Sequence, residues 1–305
     1  MDRTYVDTVR LMLEVAPDVF ASGRFAMKGG TALNFFVQDL PRLSVDIDVV
    51  FTAHQTPREA ALAEISAELA AIQKRLNARG LKTEIASTKT GDETKILVRR
   101  ARVEVKIEVN YVFRGTLLPT EVRPLAKSAG EIFTTALSVP TLAVPELYGS
   151  KLVAALDRQH PRDLFDVHGM FQRFGLTAEI VECFVSYLAG HNRPVHEVLN
   201  SRDIDLSGPF AAEFAGMERE PVALAALDDA RKRLRLELRA SLTGDQKHFL
   251  LGLVAGDPPW EAMRCKHLAE LPAIQWKLQN LARLKKANPA KFAAQSDELK
   301  RCFAA

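Results

Sequence analysis

The chain has 305 residues, 47% hydrophobic and 26% charged, and its 41 Lys+Arg against 38 Asp+Glu leave a net charge of +3. Ample length for a core and an ordinary globular composition follow, and so small a charge excess names no partner. No apolar run approaches the roughly 20 residues that span a bilayer, the start Met1-Asp2-Arg3 lacks a secretory pattern, and three dispersed cysteines (Cys183, Cys265, Cys302) exclude a disulfide scaffold or zinc site.

Val6, Val9, Met12 and Leu13 have helical spacing and predict a first helix over Val6 to Val15. Phe25 to Lys28 reads as a short strand stopping at Gly29-Gly30, after which a helix resumes from Thr31 to Val37 with Thr31 as its N-terminal cap. Pro41 and Arg42 break that helix before a strand over Ser44 to Phe51. A long helix runs from Pro57 to Arg79 and ends at Gly80. Three strands follow, Leu81 to Ser87, Thr94 to Arg100 and Arg102 to Phe113, with Gly91-Asp92 as the turn between the first two. The second half is helical, with helices opening at Pro145 and Pro161 and others over Ala178–Leu188, Leu224–Ser241 and Ala273–Lys286. An α+β architecture is expected: an α/β domain over residues 1–135 and an α-helical domain over 136–305.

Strand parity singles out the first chemical motif. In Ser44-Val45-Asp46-Ile47-Asp48-Val49 the apolar side chains share one face and both aspartates the other. Two neighbouring carboxylates repel unless a proton or cation intervenes, and a hard cation such as Mg²⁺ prefers such oxygen ligands. A solvent-facing acidic strand is the alternative. Val103-Glu104-Val105-Lys106-Ile107-Glu108-Val109-Asn110 repeats the alternation, and if the two strands are neighbours Glu108 supplies a third carboxylate. A cross-strand salt-bridge ladder involving Lys106 is the competing reading.

Gly29-Gly30-Thr31 stands at a strand-to-helix junction, where glycine lets backbone approach a ligand and free N–H groups face phosphate. It is neither a Walker loop nor a dinucleotide fingerprint. Basic clusters at Lys74-Arg75, Arg99–Arg102, Arg231–Arg235 and Lys285-Lys286 read either as solvated faces or as contacts for a polyanion. None of the seven histidines reads as a ligand or general base, and Trp260 and Trp276 read as core, with base-stacking platforms as the alternative.

Lys28-Gly29-Gly30-Thr31-Ala32-Leu33-Asn34 followed by Arg42-Leu43-Ser44-Val45-Asp46-Ile47-Asp48 resembles the first motif of the AbiEii toxins, nucleotidyltransferase-like toxins of the polymerase-β-type superfamily. Lys106 to Asn110 resembles the second motif of that family, Glu146 to Leu156 its lysine-bearing helix, and Arg158 with Pro161-Arg162-Asp163-Leu164-Phe165-Asp166 its closing Arg-Asp element. The resemblance spans residues 25 to 170. It departs at Tyr148, where a strict acid-x-x-Lys pattern puts a carboxylate; Glu146 is the nearest acid upstream and receives no role.

The resemblance implies a polymerase-β-type fold and transfer of a nucleoside monophosphate from an NTP to an acceptor, most naturally the tRNA 3′ end. Asp46 and Asp48 would bind Mg²⁺ or Mn²⁺ with Glu108 as the third acid, and Lys28, Gly29, Gly30 and Thr31 would line the nucleotide site. Lys151 would neutralise the triphosphate, and Asp163 or Asp166 would hold Lys151 or contact nucleotide or acceptor. It also implies a separately encoded antitoxin and a cytoplasmic location, and nothing in the sequence fixes an oligomeric state. Transfer to a protein or a small molecule such as an aminoglycoside, and a non-catalytic nucleotide-binding module, remain open.

Overall fold

The computed structural model describes residues 3–87 and 93–304, so the expected Gly91-Asp92 turn lies outside the described residues. The described chain divides into two compact units: residues 1–147 with 214–221, and residues 148–213 with 222–305.

The first unit is built on a mixed sheet. Helix α1 (Arg3–Phe20) leads to β1 (Phe25–Lys28), α2 (Gly29–Ala32), β2 (Asp46–Phe51), α3 (Arg58–Ala78), β3 (Lys82–Ser87), β4 (Glu93–Arg100), β5 (Val103–Asn110), β6 (Glu121–Pro124), α4 (Lys127–Phe133) and β7 (Ser138–Thr141). Seven strands take the order β3-β4-β5-β2-β1-β7-β6 among the described residues. The pairs β2/β5 and β1/β7 are parallel, while β1/β2, β3/β4, β4/β5 and β6/β7 are antiparallel.

Alternation along the central strands sets the core. Ile47, Val49, Val105, Ile107, Val109, Ile96 and Val98 are all fully buried, as expected when every second residue of a strand faces the same side. Helices α1 and α3 pack on this sheet and on each other. From α1 come Val9, Met12, Val15 and Val19, and from α3 Ile65, Leu69 and Leu76. Removing these side chains from water is the main driving force for closing the layer.

Thr31 is not a helix cap: α2 begins at Gly29, the residue before it is Lys28, and no side chain caps the turn. Its hydroxyl, buried in the unit, donates instead to the backbone oxygen of Asp46. The helix then widens into a π turn over Leu33–Val37, closed by Gln38 N–H to Leu33 C=O at 2.7 Å. The sheet also runs past residue 135, because β7 pairs with both β1 and β6, and the unit that holds it extends to Leu147.

The second unit is helical. It comprises most of α5 (Val144–Asp157), α6 (Pro161–Arg173), α7 (Ala178–Gly190), α8 (Val195–Leu199), α9 (Ser207–Glu213), α10 (Leu224–Ser241), α11 (Gly244–Ala255), α12 (Pro272–Ala287) and α13 (Pro289–Ala304). Local signals place several starts: Thr177 accepts from Ile180 N–H, and Thr243 with Gln246 forms a reciprocal capping box. Helix α10 packs on α6, and α13 packs on α11 and α12.

Candidate active site

The strand adjacency left open by the sequence is present, and its register is informative. Asp46 lies opposite Lys106 and Asp48 opposite Glu108 across the parallel β2/β5 pair. Lys28 faces Asp48 from β1, and Lys95 faces Glu108 from β4. One row across four strands therefore reads Lys28–Asp48–Glu108–Lys95. Like charges side by side on neighbouring strands destabilise a sheet, and the flanking lysines offset that cost. Lys95 does so directly, with Nζ 2.7 Å from Glu108 Oε1.

The glycine turn is fitted against the first of these acids. Gly29 has φ +74° and its backbone lies so near Asp48 that a Cβ would stand 2.3 Å from Oδ2. A Cβ on Gly30 would stand 2.8 Å from the guanidinium of Arg42 and 3.1 Å from Ser44 Oγ. Arg42 is almost fully buried and donates to Leu43 C=O at 2.9 Å. A late segment of the chain locks this approach to β2. Arg42 forms an antiparallel bridge with Glu218, Leu43 N–H donates to Met217 C=O at 2.8 Å, and Phe214 and Met217 are buried. Sequence reasoning missed both Lys95 and this segment, because nothing local to residues 214–221 announces a partner so far upstream as Arg42 and Leu43.

Charge is also concentrated in the helical unit. Lys151 on α5 is buried, with Nζ 3.0 Å from Asp163 Oδ1 and 2.9 Å from Asp166 Oδ2, both on α6. Arg158 completes the cluster with a two-pronged contact to Asp163, Nε to Oδ2 at 2.6 Å and Nη2 to Oδ1 at 3.1 Å. Burial alone raises the Asp163 pKa; the charges of Lys151 and Arg158 outweigh it and hold the carboxyl well below the usual carboxylate range. Of the two cations, only Arg158 reaches solvent. His160 caps α6: Nδ1 accepts from Arg162 N–H at 3.1 Å while Nε2 lies 3.1 Å from Glu213, so the capping ring is the neutral Nε2–H tautomer. Glu146 belongs elsewhere. It is fully buried, and its carboxylate accepts Leu117 N–H at 2.9 Å and Leu118 N–H at 3.1 Å.

Asp46 and Asp48 offer two carboxylates from one strand face, and Mg²⁺ is commonly held by one or two carboxylates together with water and substrate phosphate. The pair therefore fits such an ion. Glu108 is held by Lys95, and among the described residues no three His, Cys, Asp or Glu side chains are grouped to hold a metal.

Most of the basic clusters are neutralised within their own units. Arg75 pairs with Glu68, Arg99 with Glu84 and Glu104, and Arg100 with Glu14. Arg231, Lys232, Arg233 and Arg235 pair with Asp228, Asp228, Glu237 and Asp203 respectively. Among the described residues no helix is long and apolar enough to cross a membrane.

A mixed sheet carrying paired acids beside a glycine turn, followed by a helical unit, defines a nucleotidyltransferase-type protein. The family model for the "Nucleotidyl transferase AbiEii toxin, Type IV TA system" matches residues 10–280. The chain thus belongs to the AbiEii family, the nucleotidyltransferase toxins of type IV toxin–antitoxin systems, and membership implies an NTP substrate and a cognate antitoxin. Among solved structures it is similar to MenT4, a nucleotidyltransferase toxin from Mycobacterium tuberculosis H37Rv, with 19% identity, a TM-score of 0.60, and coverage of 92% of this chain and 94% of that one. At that identity the likeness concerns the fold. Comparison with curated proteins finds no match.

Proposed function

We propose that the chain transfers a nucleoside monophosphate from an NTP to the 3′ end of tRNA and so blocks translation. The acceptor 3′ hydroxyl oxygen bonds to the α-phosphorus and releases its proton to solvent, the bond from the α-phosphorus to the bridging oxygen of the β-phosphate breaks, and pyrophosphate leaves. The observation that carries this reading is the register that sets Asp48 opposite Glu108, with Asp46 on the same face and Gly29 against the Asp48 carboxylate.

Asp46 and Asp48 would hold Mg²⁺ or Mn²⁺, with Glu108 joining them once it parts from Lys95; the cation supplies charge stabilisation for the transferring phosphoryl group. Lys28 and the backbone of Gly29, Gly30 and Thr31 would receive the phosphates, since the Thr31 hydroxyl is engaged by Asp46 C=O. On the strength of the family motif, Lys151 serves the same reaction. Its ion pairs with Asp163 and Asp166 favour a role in which the aspartates hold the lysine in place, and Arg158 offers the more available charge.

The test is incubation with each NTP, labelled at the α-phosphate, in the presence of total tRNA and of cell lysate. Label entering tRNA is expected. Label entering protein or a small molecule and not RNA overturns the acceptor assignment.

A further inference from the structure

Helix α12 differs from the other basic segments in two ways. None of its 16 residues is acidic, and among the described residues no ion pair joins Arg283, Lys285 or Lys286 to a carboxylate. Its tryptophan, moreover, is not core. Trp276 is 40% exposed, with the Arg283 guanidinium 5.6 Å from its ring centroid.

Helical spacing puts Trp276, Gln279, Asn280, Arg283 and Lys286 on one face, and all five are exposed. The opposite face carries the buried Ile274, Lys277 and Leu281. Lys277 accounts for one further cation there: its ammonium donates to the carbonyls of His191 and Arg193 at 2.8 and 2.7 Å, so it belongs to the interior. The outward stripe thus combines a flat aromatic ring, two cations and two amides.

Single-stranded and looped RNA is recognised by this set of groups: bases stack on aromatic rings or guanidinium planes, cations neutralise phosphates, and amides reach base edges. We propose that this face of α12 binds RNA, with a base stacked at Trp276 and backbone phosphates at Arg283 and Lys286. The assignment rests on the reading that the acceptor is an RNA, and it identifies where the helical unit grips it.

The two tryptophans of the chain make the test direct. With Trp260→Phe as background, Trp276 is the sole tryptophan, and its fluorescence is titrated with a total tRNA pool. Saturable quenching is expected. Adding Arg283→Glu and Lys286→Glu should weaken binding at least tenfold and make the slope of log K against log[salt] shallower by about 1.4 to 1.8, since each lost phosphate contact removes roughly 0.7 to 0.9. Thermal unfolding checks that the reversed protein is folded, and Trp276→Leu, read by the electrophoretic mobility shift of the same tRNA pool, separates loss of stacking from loss of charge. Unchanged affinity and salt slope in the folded double reversal overturn the proposal. So does a reversal that spares RNA binding but abolishes capture of the co-expressed antitoxin, which would make α12 a protein surface. A wild-type chain that binds tRNA through α12 yet transfers no nucleotide to it would instead overturn the acceptor assignment.

Discussion

Gly29 lies against Asp48 so closely that no side chain fits between them: a Cβ would stand 2.3 Å from Asp48 Oδ2, on a backbone with φ +74°. The turn and the acid are therefore one feature. Gly29→Ala is expected to cost about 1 kcal/mol from backbone strain and, by displacing the carboxylate, to lower nucleotide transfer at least tenfold. Gly23→Ala is the control, since Gly23 has φ +71° and nothing within 4 Å of a Cβ. It should lose similar stability and keep its activity. Equal activity loss in both variants would assign the effect to strain alone.

The cluster around Lys151 calls for a stability measurement before a kinetic one. Lys151→Met leaves Asp163 and Asp166 buried without their shared cation, at a cost of about 3–5 kcal/mol in denaturant unfolding. The pH dependence has a definite sign. Asp163 is depressed in the folded protein from its ordinary 3.8, so its contribution is complete above that value and is lost as pH falls below it. Asp163→Asn should flatten the acid limb of a thermal-unfolding profile taken from pH 6 to pH 2.5. An unaltered acid limb would contradict the assignment.

Glu146 has a structural role in holding Leu117 and Leu118 N–H. Glu146→Gln turns one acceptor into a donor facing an N–H, which should cost about 1–3 kcal/mol. Transfer activity per folded molecule should be unchanged at a temperature well below unfolding. A lower kcat in fully folded protein would give Glu146 a part in the chemistry.

Lys95 holds Glu108 in an ion pair, so a cation that recruits Glu108 has to displace it. Lys95→Gln is expected to tighten Mn²⁺ binding by up to about fivefold, the size of a partly exposed ion pair. Glu108→Gln should then weaken Mn²⁺ more in the Lys95→Gln background than in the natural chain. Titration of Mn²⁺ by paramagnetic resonance reads both, independently of catalysis. Equal effects in the two backgrounds would show that Lys95 does not hold Glu108 back.

Much of this was legible in the sequence where the signal is local. Two-residue alternation put Asp46 and Asp48 on one face, and the buried Ile47 and Val49 occupy the other. The strand at Phe25–Lys28 and the helix at Leu224–Ser241 fall where periodicity predicts them. Register was not legible, because whether Glu108 or Glu104 meets Asp48 depends on contacts between strands 60 residues apart. Side-chain direction was equally hidden. Thr31 looks like a cap and bonds to Asp46 C=O, while Trp276 looks like core and faces outward.

The most direct test of nucleotidyl transfer from the Asp46–Asp48 face is sequencing of tRNA 3′ ends after reaction with each NTP, comparing the natural chain with Asp48→Ala. Ends extended by the natural chain and left intact by folded Asp48→Ala are expected. Extension of equal extent by Asp48→Ala, or no extension of any tRNA by the natural chain with any NTP, would contradict it.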